Sequence, residues 1–195
     1  MNIRYRDTLV NIIPQVYEPS EDTFLLAEVA LSEITDSEHV LEVGCGSGFI
    51  SAVIKSNTGA KMVGIDINPY AAKCSKENGV ETIRGDLLGA IKGKFDIILF
   101  NPPYLPTRED ERTDDWLNVA LDGGNDGRKI IYRFIKEAGN FLAENGKILL
   151  LVSSLGGIED IKSNIQSLGF TVKEKVKERF DFEQLVIFVA SKNRS

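Results

Sequence analysis

The stretch Phe95-Asp-Ile-Ile-Leu-Phe-Asn-Pro-Pro-Tyr104 constrains this chain more than any other. Ile97 to Phe100 form a continuous apolar run, the pattern of a strand buried on both faces of a parallel sheet. The run stops at Asn101. Pro102 and Pro103 carry no backbone N–H and cannot continue a central strand, so the chain must leave the sheet there. Ligands in open α/β sheets bind at the carboxyl ends of the strands. This end offers an amide side chain, carbonyl oxygens with no neighbouring donor, and an aromatic ring. Together they suit a planar –NH2 group: the Asn101 side-chain oxygen and the Pro102 carbonyl each accept one hydrogen, and Tyr104 stacks on the plane. Two such acceptors favour the pyramidal geometry of a nitrogen under attack and aim its lone pair at an electrophile.

The spacing of strand and helix patterns around this stretch predicts an alternating α/β chain. Ser20 is a candidate N-cap, with Glu21 and Asp22 in the first turn and Phe24, Leu25, Ala27, Val29 and Leu31 on the buried side. Residues 2–16 show no clear period. Val40 to Val43 read as a strand entering Gly44-Cys45-Gly46-Ser47-Gly48, and Phe49 to Ile54 begin a helix. Glycines there let the backbone approach a ligand and present N–H groups at a helix N-terminus. Phe49 stands where a dinucleotide fold has its third glycine, and Glu42 puts a carboxylate inside the turn. A carboxylate repels a pyrophosphate and welcomes a cation, which favours a sulfonium cofactor over NAD. Met62 to Asp66 form the second strand, and Asp66 lies where such folds place an acid on ribose hydroxyls. Asn68, Pro69 and Gly79 punctuate the next helix. A third strand near Glu81–Arg84 leads to Asp86, able to accept from an adenine amino group, with Leu87 against the ring.

The acidic run Thr107 to Trp116 lies in an aperiodic stretch from Leu105 to Asn125, long enough to be functional; Trp116 and Asp122-Gly123-Gly124 point to part of it folding back as a lid. Ile130, Ile131, Phe134, Ile135, Ala138, Phe141 and Leu142 keep helical spacing, and Asn145-Gly146 turns the chain into a strand at Lys147–Val152. A helix carrying Ile158, Ile161, Ile165 and Leu168 ends at Gly169. Phe170 to Phe180 alternate, with Val172, Val176 and Phe180 on one face and Lys173, Lys175, Lys177 and Arg179 on the other. Leu185 to Ala190 complete an antiparallel hairpin.

At 195 residues, 43% apolar and 27% charged, the chain is sized for one domain. No apolar run approaches the roughly 20 residues of a membrane span. The N-terminal residues do not look like a secretory signal, so a cytoplasmic location is expected. Cys45, Cys74 and His39 are too few for a disulfide framework or a metal site. The net charge of −6 lowers the expectation of a nucleic-acid partner.

The motifs Tyr17-Glu-Pro-Ser-Glu-Asp-Thr23, Leu41-Glu-Val-Gly-Cys-Gly-Ser-Gly48, Gly64-Ile-Asp-Ile-Asn-Pro69, Gly85-Asp-Leu87, Asn101-Pro-Pro-Tyr104 and Asp122-Gly-Gly-Asn-Asp-Gly-Arg128 resemble those of the HemK family of protein-glutamine methyltransferases. The resemblance runs over nearly the whole chain. It implies a class I S-adenosylmethionine-dependent methyltransferase fold: a doubly wound, Rossmann-like sheet of seven strands, mostly parallel, with an antiparallel last strand. A single domain over residues 1–195 is expected, with 1–35 covering the cofactor and 36–195 as core. Bacterial members carry an N-terminal helical domain, so this chain looks like the short archaeal and eukaryotic branch. That branch acts on the glutamine of the Gly-Gly-Gln motif of class I translation termination factors. A small zinc-binding activator subunit is implied too, docking near Val80–Arg84.

The resemblance further implies that Thr23 closes over the cofactor, that Glu42, Gly44 and Gly46 line its methionine end, and that Asp66 binds its ribose. Asp86 and Leu87 would take the adenine, and Asn101, Pro102 and Tyr104 the substrate amide. An adenine-N6 methyltransferase on DNA or RNA uses the same Asn-Pro-Pro-Tyr grip, and a lysine of another protein is a further alternative. A non-catalytic cofactor-binding scaffold would leave the grip without a purpose.

Overall fold

A computed structural model describes residues 1–113 and 115–193. Asp114, part of the acidic run, lies outside the described residues. The strands of the main sheet are β3 (His39–Val43), β4 (Lys61–Asp66), β5 (Glu81–Arg84), β6 (Phe95–Phe100), β7 (Leu142–Ser153), β8 (Phe170–Arg179) and β9 (Gln184–Lys192), following a hairpin of β1 (Asn2–Tyr5) and β2 (Thr8–Asn11). The helices are α1 (Glu21–Glu33), α2 (Phe49–Asn57), α3 (Pro69–Glu77), α4 (Trp116–Val119), α5 (Lys129–Ala138) and α6 (Ile158–Ser167). The seven strands stand in the order β5-β4-β3-β6-β7-β9-β8. β9 runs antiparallel to both its neighbours while β5 through β7 are parallel. This is the expected class I methyltransferase sheet.

Two cores sandwich the sheet. Ile97 and Leu99 of β6 pack with α1 and α2, and Ile98 and Phe100 pack with α5 and α6; all four are buried to within 1%. The unbroken apolar run of β6 is therefore what a strand covered on both faces requires. α3 starts as its sequence signals: the Asn68 side chain accepts from Tyr70 N–H at 2.8 Å and Pro69 occupies the first turn.

Several expectations are corrected. Residues 2–11 form a hairpin whose strands are too short for a readable period. Arg6 turns it at φ 49°, and Tyr5 lies 5.5 Å from the rings of both Phe24 and Phe49. α1 buries Leu26 and Ala30 along with Leu25, Ala27 and Val29, leaving Phe24 and Leu31 at the margin. The Ser20 side chain makes no cap bond and turns to Glu21 instead. α5 ends at Ala138, and Leu142 already belongs to β7. Asn145-Gly146 is therefore not a turn but a bulge within β7, between the pairs Phe95–Leu142 and Ile97–Lys147.

The alternation across Phe170–Phe180 also breaks. A bulge between Glu174 and Val176 flips the facing, so Val172 joins the α5/α6 core while Val176 and Phe180 join the opposite one. The basic stripe is split accordingly. Lys175 bonds Glu33 of α1, and Lys177 pairs in register with Val186 of the other core.

Phe134 is fully buried with its ring 4.7 Å from that of Phe100. Phe134→Ala should destabilise the protein by about 3–5 kcal/mol, seen as a lower urea midpoint at unchanged slope.

Candidate active site

Thr23, Glu42, Gly44, Gly46, Asp66, Asp86, Leu87, Asn101, Pro102 and Tyr104 all line one cleft at the carboxyl end of the sheet. Its floor is the turn leaving β3. Gly48 sits at φ 75°, and a Cβ there would lie 2.4 Å from the Ser75 hydroxyl, so the turn packs directly on α3 and only glycine fits. Glu42 is buried beneath it, accepting the Ser51 N–H at 3.0 Å and the Ser51 hydroxyl. Burial pushes its carboxyl up to about 8; the Ser51 bonds oppose this and the nearby Asp66 charge adds to it. Asp66 is raised too, by burial, although it accepts the N–H groups of Gly46 at 2.8 Å and Asn68 at 2.9 Å. Asp86 pairs at 2.7 Å with Arg133 across the cleft's edge, so its acceptor oxygens are shared with a cation. Leu87 holds φ 47°, unusual for a residue with a branched side chain.

The other wall is the end of β6. Asn101 donates from Nδ2 to Asp22 at 3.0 Å, and its Oδ1 is sealed from solvent with no donor among the described residues. A buried acceptor left this way costs free energy that an incoming N–H would recover. Asp22 is itself buried and accepts three more donors: Thr23 N–H at 2.6 Å, the Thr23 hydroxyl at 3.0 Å, and the Tyr17 hydroxyl at 3.3 Å. Burial and the Asp22 charge push Tyr17 up, keeping it a donor. Tyr104 is tethered by its hydroxyl to Glu183 at 3.4 Å, and Glu183 also takes the Ser153 hydroxyl. Gly127 packs against the Tyr104 carbonyl so closely that a Cβ would lie 2.4 Å away, which accounts for part of the Asp122–Arg128 motif. The stretch after Tyr104 does fold back. Leu105 and Gly123 are bonded at 2.9 Å, Arg112 pairs with Asp122 at 3.0 Å, and Trp116 and Val119 of α4 line the cleft.

The sequence matches the methyltransferase small domain family over residues 21–180. A Methanocaldococcus jannaschii protein provisionally named a protein N5-glutamine methyltransferase is 42% identical, with 97% of this chain and 98% of the relative covered. Methyltransferase HEMK2 of Mus musculus is 37% identical over 79% of each chain. The chain is a HemK-family methyltransferase. Among solved structures, the E. cuniculi Mtq2–Trm112 complex, described as responsible for methylating the eRF1 translation termination factor, superposes with a TM-score of 0.76. It is 27% identical and covers 92% of this chain and 99% of that one. As a HemK-family methyltransferase the protein takes S-adenosylmethionine as its cofactor.

The residues fit that group. A sulfonium and an α-ammonium are cations, and buried Asp66 and, once ionised, Glu42 would supply matching negative charge. From sequence Asp22 is only a first-turn acid and Glu183 has no role, although Asp22 lines the cleft and Glu183 bonds Tyr104, which lines it too. Each bonds a partner 79 positions away, a separation no periodicity reveals. No helix among the described residues is long and apolar enough to cross a membrane.

Because Glu42 sits near 8 when folded and 4.5 otherwise, the native state holds the extra proton between those values. Its stabilising contribution is full below about pH 4.5 and is lost as pH rises through about 8. A bound cation favours the ionised form. At pH 7, S-adenosylmethionine binding should therefore release up to about one proton, read by calorimetry in buffers of different ionisation enthalpy. Glu42→Gln should abolish the release.

Proposed function

We propose that this chain methylates the side-chain amide nitrogen of a glutamine in a translation termination factor, within a Gly-Gly-Gln motif. The observation that carries this reading is the buried, unpartnered Asn101 Oδ1 beside Pro102 and Tyr104. No hydrogen bond from the described residues reaches the Pro102 carbonyl, so two acceptors stand together without donors. That pair matches the two hydrogens of a carboxamide –NH2. The naming of the M. jannaschii relative as a protein N5-glutamine methyltransferase and the eRF1 role ascribed to the E. cuniculi complex support the same substrate class.

Asn101 Oδ1 and the Pro102 carbonyl would hold the amide and draw on its hydrogens, which loosens lone-pair delocalisation at nitrogen. Tyr104, fixed by Glu183, would pack on the amide plane. Glu42, Gly44 and Gly46 would receive the methionine end of the cofactor, Asp66 the ribose, and Asp86 with Leu87 the adenine. Bound S-adenosylmethionine supplies an activated methyl group with a neutral thioether as leaving group. Asn101 and Pro102 would align the amide nitrogen with that methyl group, and the amide proton, acidic once nitrogen is alkylated, would pass to water. Alignment and electrostatics carry the rate, with no strong base needed. Residues 1–35 bring Tyr17, Asp22 and Thr23 to the cleft, which supports reading this segment as the cofactor cover of a single domain.

The reading includes a partner. β5 ends the sheet and leaves one backbone edge unpaired, so the stretch Val80–Arg84 suits strand addition by a small zinc-binding activator. The E. cuniculi relative was solved as a complex with Trm112. Methylation of adenine in nucleic acid is disfavoured by the net charge of −6 and by the acids of the 107–116 stretch.

Incubation with labelled S-adenosylmethionine, a Gly-Gly-Gln-containing termination factor and, separately, DNA and RNA should label glutamine alone. Label on adenine would overturn the substrate. Asn101→Ala should lower turnover by about a thousandfold or more while cofactor affinity stays near wild type; equal losses of both would refute the role given to Asn101.

A further inference from the structure

An asparagine amide is nearly symmetric in shape and opposite in hydrogen-bonding character at its two ends. If Asn101 turned over, Nδ2 would take the place of the unpartnered Oδ1, and a substrate –NH2 brought to it would meet donor with donor. Something must hold it the right way round. Asp22 is 5% exposed and offers only acceptor oxygens, and its Oδ2 takes the Asn101 Nδ2–H at 3.0 Å while Oδ1 of Asn101 stays free and buried. We propose that Asp22 is a positioning residue: its carboxylate locks the Asn101 amide with the oxygen aimed at the reacting nitrogen. This rests on the assignment of Asn101 as the amide grip and names a residue on which that grip depends.

An orienting role for Asp22 gives an order of effects that a packing role would reverse. In Asp22→Asn the shape is kept. The Thr23 backbone N–H, 2.6 Å from Oδ1 and unable to turn, holds the new side-chain oxygen in that place. The new amide nitrogen must then face Asn101 Nδ2. Two donors meet, so Asn101 is driven to flip and presents its own nitrogen to the cleft. In Asp22→Ala nothing dictates the orientation, and either flip is open to Asn101. Asp22→Asn should therefore lower kcat at saturating S-adenosylmethionine by about tenfold to a hundredfold, the consequence of a buried polar group facing its like. Asp22→Ala should lower kcat less, although it removes the acceptor of the Thr23 and Tyr17 bonds and costs more in Tm.

The reciprocal swap completes the test. In Asp22→Asn with Asn101→Asp, the nitrogen at position 22 donates to a carboxylate at 101, whose second oxygen accepts toward the cleft. The double variant should recover kcat relative to Asp22→Asn alone, and a merely structural Asp22 gives no reason for it to do so. The experiment follows methyl transfer to the Gly-Gly-Gln-containing termination factor, with S-adenosylmethionine affinity measured by calorimetry and Tm recorded for each protein. Asp22→Asn slower than Asp22→Ala, with rescue by the swap, supports the proposal. Asp22→Asn equal to or faster than Asp22→Ala, or a swap no better than Asp22→Asn, overturns it. If the wild type labels adenine and not glutamine, the substrate reading fails separately. The same ranking of variants on adenine still decides the role of Asp22, since that substrate also presents an –NH2.

Discussion

The parallel pairing of β3 with β6 is the constraint on which the site depends. Val43 lies opposite Phe100 in register, so the next residue on each strand, Gly44 and Asn101, leaves the sheet side by side. A Cβ on Gly44 would stand 3.5 Å from the Phe100 ring and 4.0 Å from the Asn101 carbonyl. The glycine turn suited to the cofactor and the amide suited to the substrate are thus adjacent because two buried strands end at the same level. A slip of one residue would also exchange the strand faces, setting Ile98 and Phe100 against the wrong core. Packing and catalysis fix one register between them.

Around that junction the protein concentrates acids that pair with no cation among the described residues. Glu42, Asp66 and Asp22 are all buried. The first two are held by backbone or serine donors and yet lie above the ordinary carboxylate range, because burial outweighs those bonds. This strain in the free protein is the counterpart of a cationic ligand: the same desolvation that raises Glu42 strengthens its attraction to a sulfonium or ammonium group once the cleft is filled. Asp86, by contrast, is half exposed and paired with Arg133. Its end of the cleft is therefore more open to solvent than the end where Glu42 is buried.

Much of this was legible in the sequence, for identifiable reasons. Continuous apolar strands, the glycine turn after Val43, the Asn68-Pro69 helix start and the proline stop at Pro102 are local signals, and each appears where its chemistry requires. The losses are equally physical. The hairpin of β1 and β2 is too short for alternation to be recognised. The bulges at Asn145-Gly146 and Lys175 shift parity by inserting residues that nothing in composition marks. Asp22 and Glu183 resemble any surface acid in sequence, and only the folded chain brings them to Asn101 and Tyr104.

Those two acids share a further property. Each lies outside the strand that carries the grip, one at the start of α1 and the other in the turn between β8 and β9, and each bonds a residue of the Asn-Pro-Pro-Tyr stretch. Prolines at 102 and 103 stiffen the backbone but leave the side chains on either side free to choose rotamers. Orientation must then come from the surroundings: Asp22 acts on the amide and Glu183 on the phenol. Because Asp22 also takes the N–H of Thr23 and the Tyr17 hydroxyl, the geometry of the grip is tied to the docking of the N-terminal segment on the cleft. A displacement of that segment would leave the central strand intact and still remove the acceptor that tells Asn101 which way to face.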